Sequence, residues 1–375
     1  MMTAASVSNR PTVSVIVPAR NEEASLGACL QSLVEQTGVD FELIVVDDAS
    51  TDRTLEIAQC FPLVQVVEAG YLPEGWIGKN NALAAGAKQA HGGWLLFTDA
   101  DTVHRPGSLA RSLAEAKTRG TALLSYSPEQ EVRGFWEKAV MPVIFADLAS
   151  TYSPSRVSDP GSPAAAANGQ YILISREAYD AVGGHAAVAS SLLEDVALAR
   201  LVKRSGRRIF FRYGADAVRT RMYRSFAQLR EGWTKNLALL FPSPLRLALL
   251  RTTEFVLIGS SAAVATLAAT NGRTTTAFAT AILFVILYGL FLKRIRKAHF
   301  SWDANALALL GLPLFFYLLL RSTLFHKKGG VTWKGRQYAP RITSGVSNAR
   351  LGPDMPVPSA VARTSQATCS SERTL

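Results

Sequence analysis

Three long apolar stretches in the last third of the chain restrict its possible folds more than any other feature. Residues 255–270, 276–292 and 304–320 contain no charged side chain. As helices, at about 1.5 Å per residue, each would reach roughly 25 Å, slightly less than a bilayer core, and flanking Thr and Leu residues can extend them. A single stretch of this kind is typical of a buried core helix. Three at one end of the chain predict a membrane region with about three apolar helices over residues 241–325.

The positive charge of the chain is concentrated around the same stretches. The formal net charge is +11, and Asp303 is the only acidic residue between positions 276 and 350. The basic residues of that region are Lys293, Arg294, Arg296, Lys297, Arg321, Lys327, Lys328, Lys334, Arg336, Arg341 and Arg350. Basic side chains beside apolar spans are typical of membrane proteins, because they interact with anionic lipid heads. No recognition-helix or zinc pattern accompanies them, so we expect a membrane partner and no nucleic acid.

The N-terminal part of the chain predicts a reducing, cytosolic location. The first twelve residues carry no apolar segment of the kind found in signal peptides. The three cysteines, Cys29, Cys60 and Cys369, are odd in number and widely spaced, which disfavours a disulfide framework or a zinc site. We therefore predict a multi-pass protein of the cell membrane whose N-terminal domain is cytosolic.

The basic segment after the third apolar stretch conflicts with three complete crossings. If all three stretches crossed, residues 331–338 would lie on the side opposite the N-terminal domain. That segment is basic, like residues 293–297, and both favour the cytosol. We therefore predict that one stretch is re-entrant or interfacial, and the one containing Pro313 is the candidate.

Strands alternate with helices in the first part of the chain. The patterns predict strands at residues 13–17, 41–46, 64–67 and 94–98, and helices at residues 22–36 and 80–90. Such alternation predicts an α/β fold with a mostly parallel sheet, which binds ligands at the carboxyl ends of its strands. Three of those ends are polar, at residues 19–22, 47–52 and 99–101. Three polar ends in one half of a sheet indicate a binding site.

The fourth predicted strand ends in two carboxylates one residue apart, Asp99 and Asp101. Alternate residues of a strand share a face, so the two carboxylates can converge on one cation. Mg²⁺ and Mn²⁺ prefer oxygen ligands and take many of them from phosphate and water. The pair therefore predicts a divalent metal and the diphosphate of a nucleotide sugar. Asp-x-Asp alone is also a common turn or helix-capping signal.

The region that follows is less regular. It predicts strands at residues 123–127, 171–175 and 208–213, and helices at residues 135–150, 178–184 and 194–205. Residues 153–163 are rich in Ser and Pro and predict a mobile loop, and residues 225–251 predict an amphipathic helix leading to the apolar stretches. Residues 326–340 form a predicted basic and aromatic juxtamembrane segment, whereas residues 1–10 and 341–375 are predicted to be disordered.

Four motifs occur in a fixed order along the chain. They are Val-Ser-Val-Ile-Val-Pro-Ala-Arg-Asn-Glu-Glu at 13–23, Val-Val-Asp-Asp-Ala-Ser-Thr-Asp at 45–52, Asp-Ala-Asp at 99–101 and Leu-Glu-Asp at 193–195. Their order and spacing resemble glycosyltransferase family 2 over residues 11–240. The resemblance implies a Rossmann-like GT-A catalytic domain with a mostly parallel sheet, followed by C-terminal transmembrane helices.

The resemblance also implies roles for residues of the nucleotide site. Pro18, Ala19 and Glu22 would border the nucleotide, and Asp48 would accept a hydrogen bond from the base or ribose. Uracil offers one imide N–H that suits a carboxylate. The alternative for Asp48 is a turn or helix cap.

A second group of residues would serve the diphosphate and the reaction. Lys79 opens a helix in Trp-Ile-Gly-Lys-Asn, where its amine and the N-terminal amides of the helix would bind the diphosphate, and Asp99 would contribute through the metal. Asp195 would be the general base of an inverting transfer, with Glu194 beside it. Alternatively, Lys79 is an ordinary solvated lysine, and Glu194 and Asp195 only interact favourably with the dipole at the start of a helix.

Processive members of the family carry Gln-x-x-Arg-Trp where this chain has Arg-Glu-Gly-Trp, residues 230–233. The departure disfavours polymer synthesis. Arg230 stays a candidate site residue, and Trp233 either stacks on an acceptor or anchors an interfacial helix. Trp333 and Arg336 are either substrate contacts or part of an aromatic and basic interface belt.

Residues 72–80 and 331–338, with the apolar stretches, resemble a membrane-bound bacterial branch of the family that glycosylates lipids, including carotenoid-acid and hopene-associated enzymes. The function expected from this resemblance is a metal-dependent, inverting transfer of one sugar from a UDP-sugar to an isoprenoid, carotenoid or hopanoid acceptor. Two alternatives are a polyprenyl-phosphate glycosyltransferase and a catalytically silent nucleotide-sugar-binding scaffold.

Overall fold

The computed structural model describes residues 11–328 and the two strands at residues 331–333 and 336–338. The predicted disorder of residues 1–10 and 341–375 lies outside the described residues, as does Cys369. Cys29 is buried and Cys60 is exposed, and neither forms a disulfide.

The strands form one large sheet and two small ones. In chain order they are β1 (Val13–Ala19), β2 (Phe41–Asp47), β3 (Val64–Glu68), β4 (Trp94–Phe97), β5 (Thr102–His104), β6 (Leu123–Ser127), β7 (Glu129–Gln130), β8 (Ile172–Ser175), β9 (Ile209–Tyr213), β10 (Val218–Thr220), β11 (Val331–Trp333) and β12 (Arg336–Tyr338). The seven-stranded sheet has the order β3-β2-β1-β4-β8-β6-β9. Only β8 runs antiparallel to its neighbours there, so the predicted mostly parallel sheet is confirmed.

Twelve α-helices accompany these strands within residues 11–328. They are α1 (Leu26–Val34), α2 (Thr54–Gln59), α3 (Gly78–Gln89), α4 (Ser108–Arg119), α5 (Phe135–Thr151), α6 (Pro154–Ser158), α7 (Arg176–Ala181), α8 (Glu194–Arg204), α9 (Phe226–Leu240), α10 (Pro244–Thr270), α11 (Thr274–Ile295) and α12 (Trp302–Lys328). Helices α1, α2 and α4 cover one face of the large sheet, and α3, α6, α7 and α8 cover the other. A third apolar cluster joins α5 and α9 to the three long C-terminal helices.

The side chains of the central strand β1 alternate between the two faces of the large sheet. Val13, Val15 and Val17 pack with α1, whereas Ile16 packs with α3. Helix α3 approaches this strand closely at Gly86, where a Cβ would lie 2.5 Å from Ile16 Cγ2 and 2.8 Å from Val46 Cγ2. The glycine therefore fixes where the start of α3 lies relative to the ends of β1 and β2.

A small sheet of order β5-β10-β7 was not predicted, because its strands have only two or three residues. Its register places Thr220 opposite Thr102. The hydroxyl of Thr220 donates to the carbonyl of Asp101 at 3.1 Å. The small sheet thus holds the turn that carries the second predicted metal ligand.

Two local predictions are wrong. The predicted mobile loop at 153–163 contains α6, in which Val157 is completely buried and its carbonyl accepts from Lys203 Nζ at 2.7 Å. The predicted single helix at 225–251 is interrupted after Leu240, because Pro242 and Pro244 restrict the backbone there. The three predicted apolar helices are present, and α10, α11 and α12 are each long and apolar enough to cross a membrane.

We expect Gly86→Ala to destabilise the protein, because its methyl group would overpack the interface between α3 and the sheet by about 1–3 kcal/mol. Alanine's better helix propensity offsets only about 1 kcal/mol of this. Gly27→Ala in α1 is the matched control, since its Cβ would meet Ile57 Cγ2 at an ordinary 3.8 Å. Thermal unfolding of the full-length protein in detergent should give a lower midpoint for Gly86→Ala than for Gly27→Ala. Equal midpoints would contradict this packing argument.

Candidate active site

The ends of β1 and β2 are tied together by hydrogen bonds. Arg20 donates to the carbonyls of Asp48 and Ala49. Asn21 accepts from the backbone N–H of Thr51 at 2.8 Å. Asn21 and Ala49 have φ values of 52° and 56°, in the left-handed region that few non-glycine residues adopt. The two polar ends thus form one preorganised loop pair beside the sheet.

The predicted nucleotide residues lie on this loop pair or next to it. Pro18 and Ala19 end β1, paired in register with residues 46 and 47 of β2. Asp48 is buried, with 6% of its surface exposed. Glu22 accepts from the Ser25 hydroxyl at 2.8 Å, immediately before α1. These four residues occupy one end of the sheet, and their nucleotide role remains a prediction.

Lys79 connects the end of β4 with the start of α8. Its ammonium lies 2.7 Å from Asp99 Oδ1 and 2.8 Å from Glu194 Oε1. The Glu194 side chain is 9% exposed and that of Lys79 is 32% exposed, so solvent reaches the lysine end of the pair. Lys79, Asp99 and Glu194, which were predicted from three different motifs, therefore meet in one charged cluster.

Asp195 lies beside this cluster and is held by backbone groups. Its Oδ2 accepts from the N–H of Gly169 at 3.0 Å, and its Oδ1 accepts from the N–H of Val196 at 2.7 Å. A Cβ on Gly169 would lie 3.1 Å from Lys79 Nζ and 3.3 Å from Glu194 Oε1. Gly169 was missed by the sequence analysis, because its loop before β8 carries no motif that distinguishes it from an ordinary turn.

The charges in the cluster separate the pKa values of its two neighbouring acids. Burial raises the pKa of Glu194, but the charges of Lys79 and Lys235 outweigh burial and hold the pKa below its usual value. Burial and the adjacent charge of Glu194 raise the pKa of Asp195 to about 6. The pKa of Lys79 is well above its usual value, because Asp99 and Glu194 outweigh the effect of burial. Asp195 is therefore the more basic carboxylate of the pair.

Asn80 holds the segment that leads into α8. Its Nδ2 lies 2.9, 3.0 and 2.9 Å from the carbonyls of Val188, Ala189 and Ser191. The side chain is completely buried. Because Asn80 follows Lys79 directly, this contact places Glu194 within reach of the lysine.

Lys235 of α9 was also missed by the sequence analysis. Burial lowers its pKa, and the charge of Glu194 acts in the opposite direction, so the two side chains are close enough to interact electrostatically. The backbone carbonyl of Lys235 bonds to His326 Nε2 of α12 at 2.8 Å. Lys235 lies some forty residues beyond Glu194 in the chain, so only tertiary packing brings it to the site.

Asp101 faces a different group of residues from Asp99. It lines a cavity of about 240 Å³ at the edge of the small sheet. The charged side chains that line this cavity with it are Glu131, Arg133, Arg219, Arg221 and Arg224. Arg219 and Arg221 pair with Glu131 and Glu137 at 2.9 and 3.1 Å, which leaves the cavity with an excess of positive charge.

The donor set fits a cation that is shared with a diphosphate. Among residues 11–328 no group of three or more His, Cys, Asp or Glu side chains converges as a complete protein cage. The two hard carboxylates, Asp99 and Asp101, suit Mg²⁺ or Mn²⁺, which bind through one or two carboxylates when phosphate and water supply the other ligands. The chemistry of the two carboxylates therefore suits the predicted metal, whereas their contacts differ, since Asp99 bonds to Lys79 and Asp101 lines the arginine-rich cavity.

The remaining predicted site residues are Arg230 and Trp233 of α9 and Trp333 and Arg336 of the last two strands. Trp233 is 2% exposed, and its indole N–H lies 3.4 Å from Met141 Sδ. It packs α9 on α5, and its acceptor-stacking and interface-anchor roles stay predictions. Arg230 is exposed on α9. Trp333 and Arg336 fall in β11 and β12, and their side chains lie outside the described residues.

Comparison with known proteins identifies the catalytic part of the chain. Residues 14–183 match the family model described as Glycosyl transferase family 2. The chain contains a family 2 glycosyltransferase domain. The chain is 28% identical over 347 residues to 4,4'-diaponeurosporenoate glycosyltransferase of Staphylococcus aureus strain USA300. That alignment covers 88% of this chain and 89% of the relative. The same protein from strain MRSA252 matches over the same length.

A solved structure supports the fold of the glycosyltransferase. The mannosyltransferase PcManGT from Pyrobaculum calidifontis, in complex with GDP-Man and Mn²⁺, aligns with a TM-score of 0.50 at 19% identity. The alignment covers 85% of this chain and 88% of that chain. The predicted GT-A fold is thereby confirmed. Glycosyltransferase activity is supported by the family model and by the names of the relatives.

We expect Gly169→Ala to lower the turnover of the glycosyltransferase at least tenfold without unfolding it, because the methyl group pushes Lys79 and Glu194 apart by a few tenths of an ångström. Initial rates and thermal unfolding, measured on the same preparations, check this. Gly161→Ala is the control, since its Cβ would meet Asp159 Oδ1 at 3.5 Å, an ordinary contact. Wild-type turnover of Gly169→Ala would show that the close approach has no catalytic importance.

Proposed function

We propose that the chain is a membrane-bound, metal-dependent, inverting glycosyltransferase that transfers one sugar from a UDP-sugar to the hydroxyl or carboxyl group of an isoprenoid or carotenoid-type lipid. The cluster of Lys79, Asp99, Glu194 and Asp195 is the observation that carries this proposal. It combines a cation for the donor's phosphates with a carboxylate of raised pKa for the acceptor. The name of the Staphylococcus aureus relative supports a carotenoid acid as the acceptor.

The donor would lie across the ends of β1, β2 and β4. Asp48 would accept from the uracil imide, while Pro18, Ala19 and Glu22 border the nucleotide. Lys79 would bind the diphosphate, and Asp99 and Asp101 would hold Mg²⁺ or Mn²⁺. The bound cation would neutralise the charge that develops on the departing diphosphate. The arginines around Asp101 would add to this neutralisation, since their cavity has an excess of positive charge.

Asp195 would remove the acceptor's proton as its oxygen attacks the anomeric carbon. An inverting transfer needs one such carboxylate on the acceptor side. Two backbone N–H groups orient Asp195, and its raised pKa makes it a stronger base than Glu194. A carboxyl acceptor that arrives from the bilayer is protonated in apolar surroundings, so it also requires a base.

The apolar helices would supply an environment in which such an acceptor dissolves. The third apolar cluster places α9, which carries Lys235, against α12. Lys235 would stabilise the negative charge that develops on the acceptor oxygen as Asp195 removes its proton. The acceptor would therefore approach from the membrane side while the nucleotide occupies the strand ends.

The proposal predicts which substrates are used. The full-length protein in liposomes, given UDP-hexoses and Mg²⁺ or Mn²⁺, should add a single hexose to a carotenoid carboxylic acid, with inversion at the anomeric carbon. Mass spectrometry and NMR of the extracted lipid would detect this product. GDP-mannose and a polyprenyl phosphate are the competing donor and acceptor. Transfer only to the polyprenyl phosphate, or binding of nucleotide sugar without any transfer, would overturn the proposed function.

Asp195→Asn should reduce turnover by a factor of about 10² to 10⁴, because it removes the general base and preserves the side-chain shape. The affinity for the nucleotide sugar, measured by calorimetry, should stay close to that of the wild type. Asp180→Asn on the exposed surface of α7 is the control and should leave both quantities unchanged. Turnover close to wild type in Asp195→Asn would exclude Asp195 as the base.

The same assignment predicts the effect of pH. A general base acts only when it is deprotonated, so kcat/KM should rise with pH through a midpoint at about 6, the pKa of Asp195, and level off above about pH 7. An unperturbed aspartate would instead give a midpoint near 4. A kcat/KM profile that stays flat between about pH 5 and 7 is the result that this assignment cannot accommodate.

A further inference from the structure

Helix α12 is attached to catalytic-domain helices at both of its ends. Near its start, Asp303 Oδ2 lies 2.7 Å from Lys138 Nζ of α5. Near its end, Ser322 Oγ donates to the carbonyl of Thr234 at 2.7 Å and accepts from the N–H of Ala238 at 2.9 Å, both in α9. Asp303 and Ser322 are 19 residues apart, about 28 Å along the helix, so a crossing of the bilayer by α12 would carry α5 or α9 into the membrane with it.

The middle of α12 touches α5 through the backbone. At Gly311 a Cβ would lie 1.9 Å from the carbonyl oxygen of Ala139, so no other residue fits there without displacement. The buried face of α12 includes Ala308, Leu312 and Phe315. In its most apolar window α12 is 44% buried, compared with 17% for α10 and 6% for α11. Helix α12 is therefore seated on the protein along most of its length, whereas α10 and α11 contact each other, α10 also contacts α12, and both expose a row of large apolar side chains.

Helices α10 and α11 form an antiparallel hairpin with a charged base. Arg251 and Glu254 of α10 and Arg294 of α11 form a network with Asp147 of α5, with distances from 2.7 to 3.1 Å. The side chain of Asp147 is 4% exposed, so the network is fixed within the protein. Both helices thus leave the catalytic domain at the same level and meet again at the turn around residues 271–273.

The surface of the hairpin indicates which partner covers it. Between the charged base and the turn, the exposed large side chains are Val256, Leu257, Val264, Leu267, Phe278, Ile282, Leu283, Val285, Ile286 and Leu290. Exposed basic residues, Arg246, Lys293, Arg296 and Lys297, surround the base. An apolar rod of about 27 Å with a basic collar matches the core and the anionic head groups of a phospholipid bilayer.

The chain after α12 stays with the catalytic domain. Strand β11 runs beside α9. Its position agrees with the end of α12, where His326 bonds to the carbonyl of Lys235 in the same helix. Strand β11 therefore lies on the side of the active site.

We infer that the protein enters an anionic bilayer only through the α10–α11 hairpin, which crosses it twice with residues 271–273 at the far surface. Helix α12 lies along the near surface, against α5 and α9. The chain segments before α10 and after α11 are consequently on one side of the membrane. The predicted re-entrant or interfacial segment that contains Pro313 corresponds to this seated helix.

Labelling of single cysteines tests the inference. Cys60, exposed on the catalytic domain, serves as the reference in a Cys369→Ser background. In a Cys60→Ser, Cys369→Ser background, cysteines are placed singly as Asn271→Cys, Ser301→Cys and Lys328→Cys. A membrane-impermeant maleimide is added to sealed vesicles of both orientations made from cells that express the full-length chain. The unsubstituted background, with buried Cys29, controls for residual labelling.

We expect Ser301→Cys and Lys328→Cys to react in the same vesicles as Cys60, and Asn271→Cys only in vesicles of the opposite orientation. Reaction of Lys328→Cys on the side opposite Cys60 would mean that α12 crosses, and it would overturn the inference. Reaction of Asn271→Cys on the side of Cys60 would overturn the crossing by the hairpin. The experiment requires no sugar donor, so its outcome is independent of the proposed function.

Discussion

The position of one ammonium group, that of Lys79, determines the arrangement of the charged residues around it. Asp99, Glu194 and Asp195 come from segments far apart in the chain, and close carboxylates in a wet site repel each other by about 1–4 kcal/mol per pair. Lys79 offsets this repulsion by contacting Asp99 and Glu194 directly. The lysine therefore stabilises the arrangement of these side chains. Gly169 allows this close approach.

The sequence predicted the elements of the catalytic domain well where the pattern is local. The apolar alternation of β1 and β2 and the polar residues that follow them specify strands and strand ends without reference to the rest of the chain. Gly169, Lys235 and the arginines near Asp101 were not predicted, because their importance arises from contacts between distant segments. The two- and three-residue strands of the small sheet are stabilised by pairing and show no periodicity of their own.

The same limit applies to the C-terminal helices. A side chain such as Leu312, buried against protein, and one such as Leu283, exposed on the hairpin, are equally apolar in a sequence. Hydropathy therefore predicted three equivalent helices, whereas the structure separates one seated helix from two exposed ones. The conflict in the distribution of basic residues was the only sequence signal of this difference. Gly311, which permits backbone contact between α12 and α5, carries no such signal by itself.

The charged base of the hairpin has a consequence for the kind of lipid layer that accommodates this enzyme. Arg251 and Arg294 are fixed to Asp147, Glu254 pairs with both arginines, and Arg273 follows the turn at the other end. The apolar length between these charges, about 27 Å, cannot be extended by sliding the helices. A thicker hydrocarbon layer would have to thin locally, at a fraction of a kcal/mol per ångström of mismatch. Membrane thickness would therefore influence where the enzyme accumulates and how firmly its active site is held at the lipid surface.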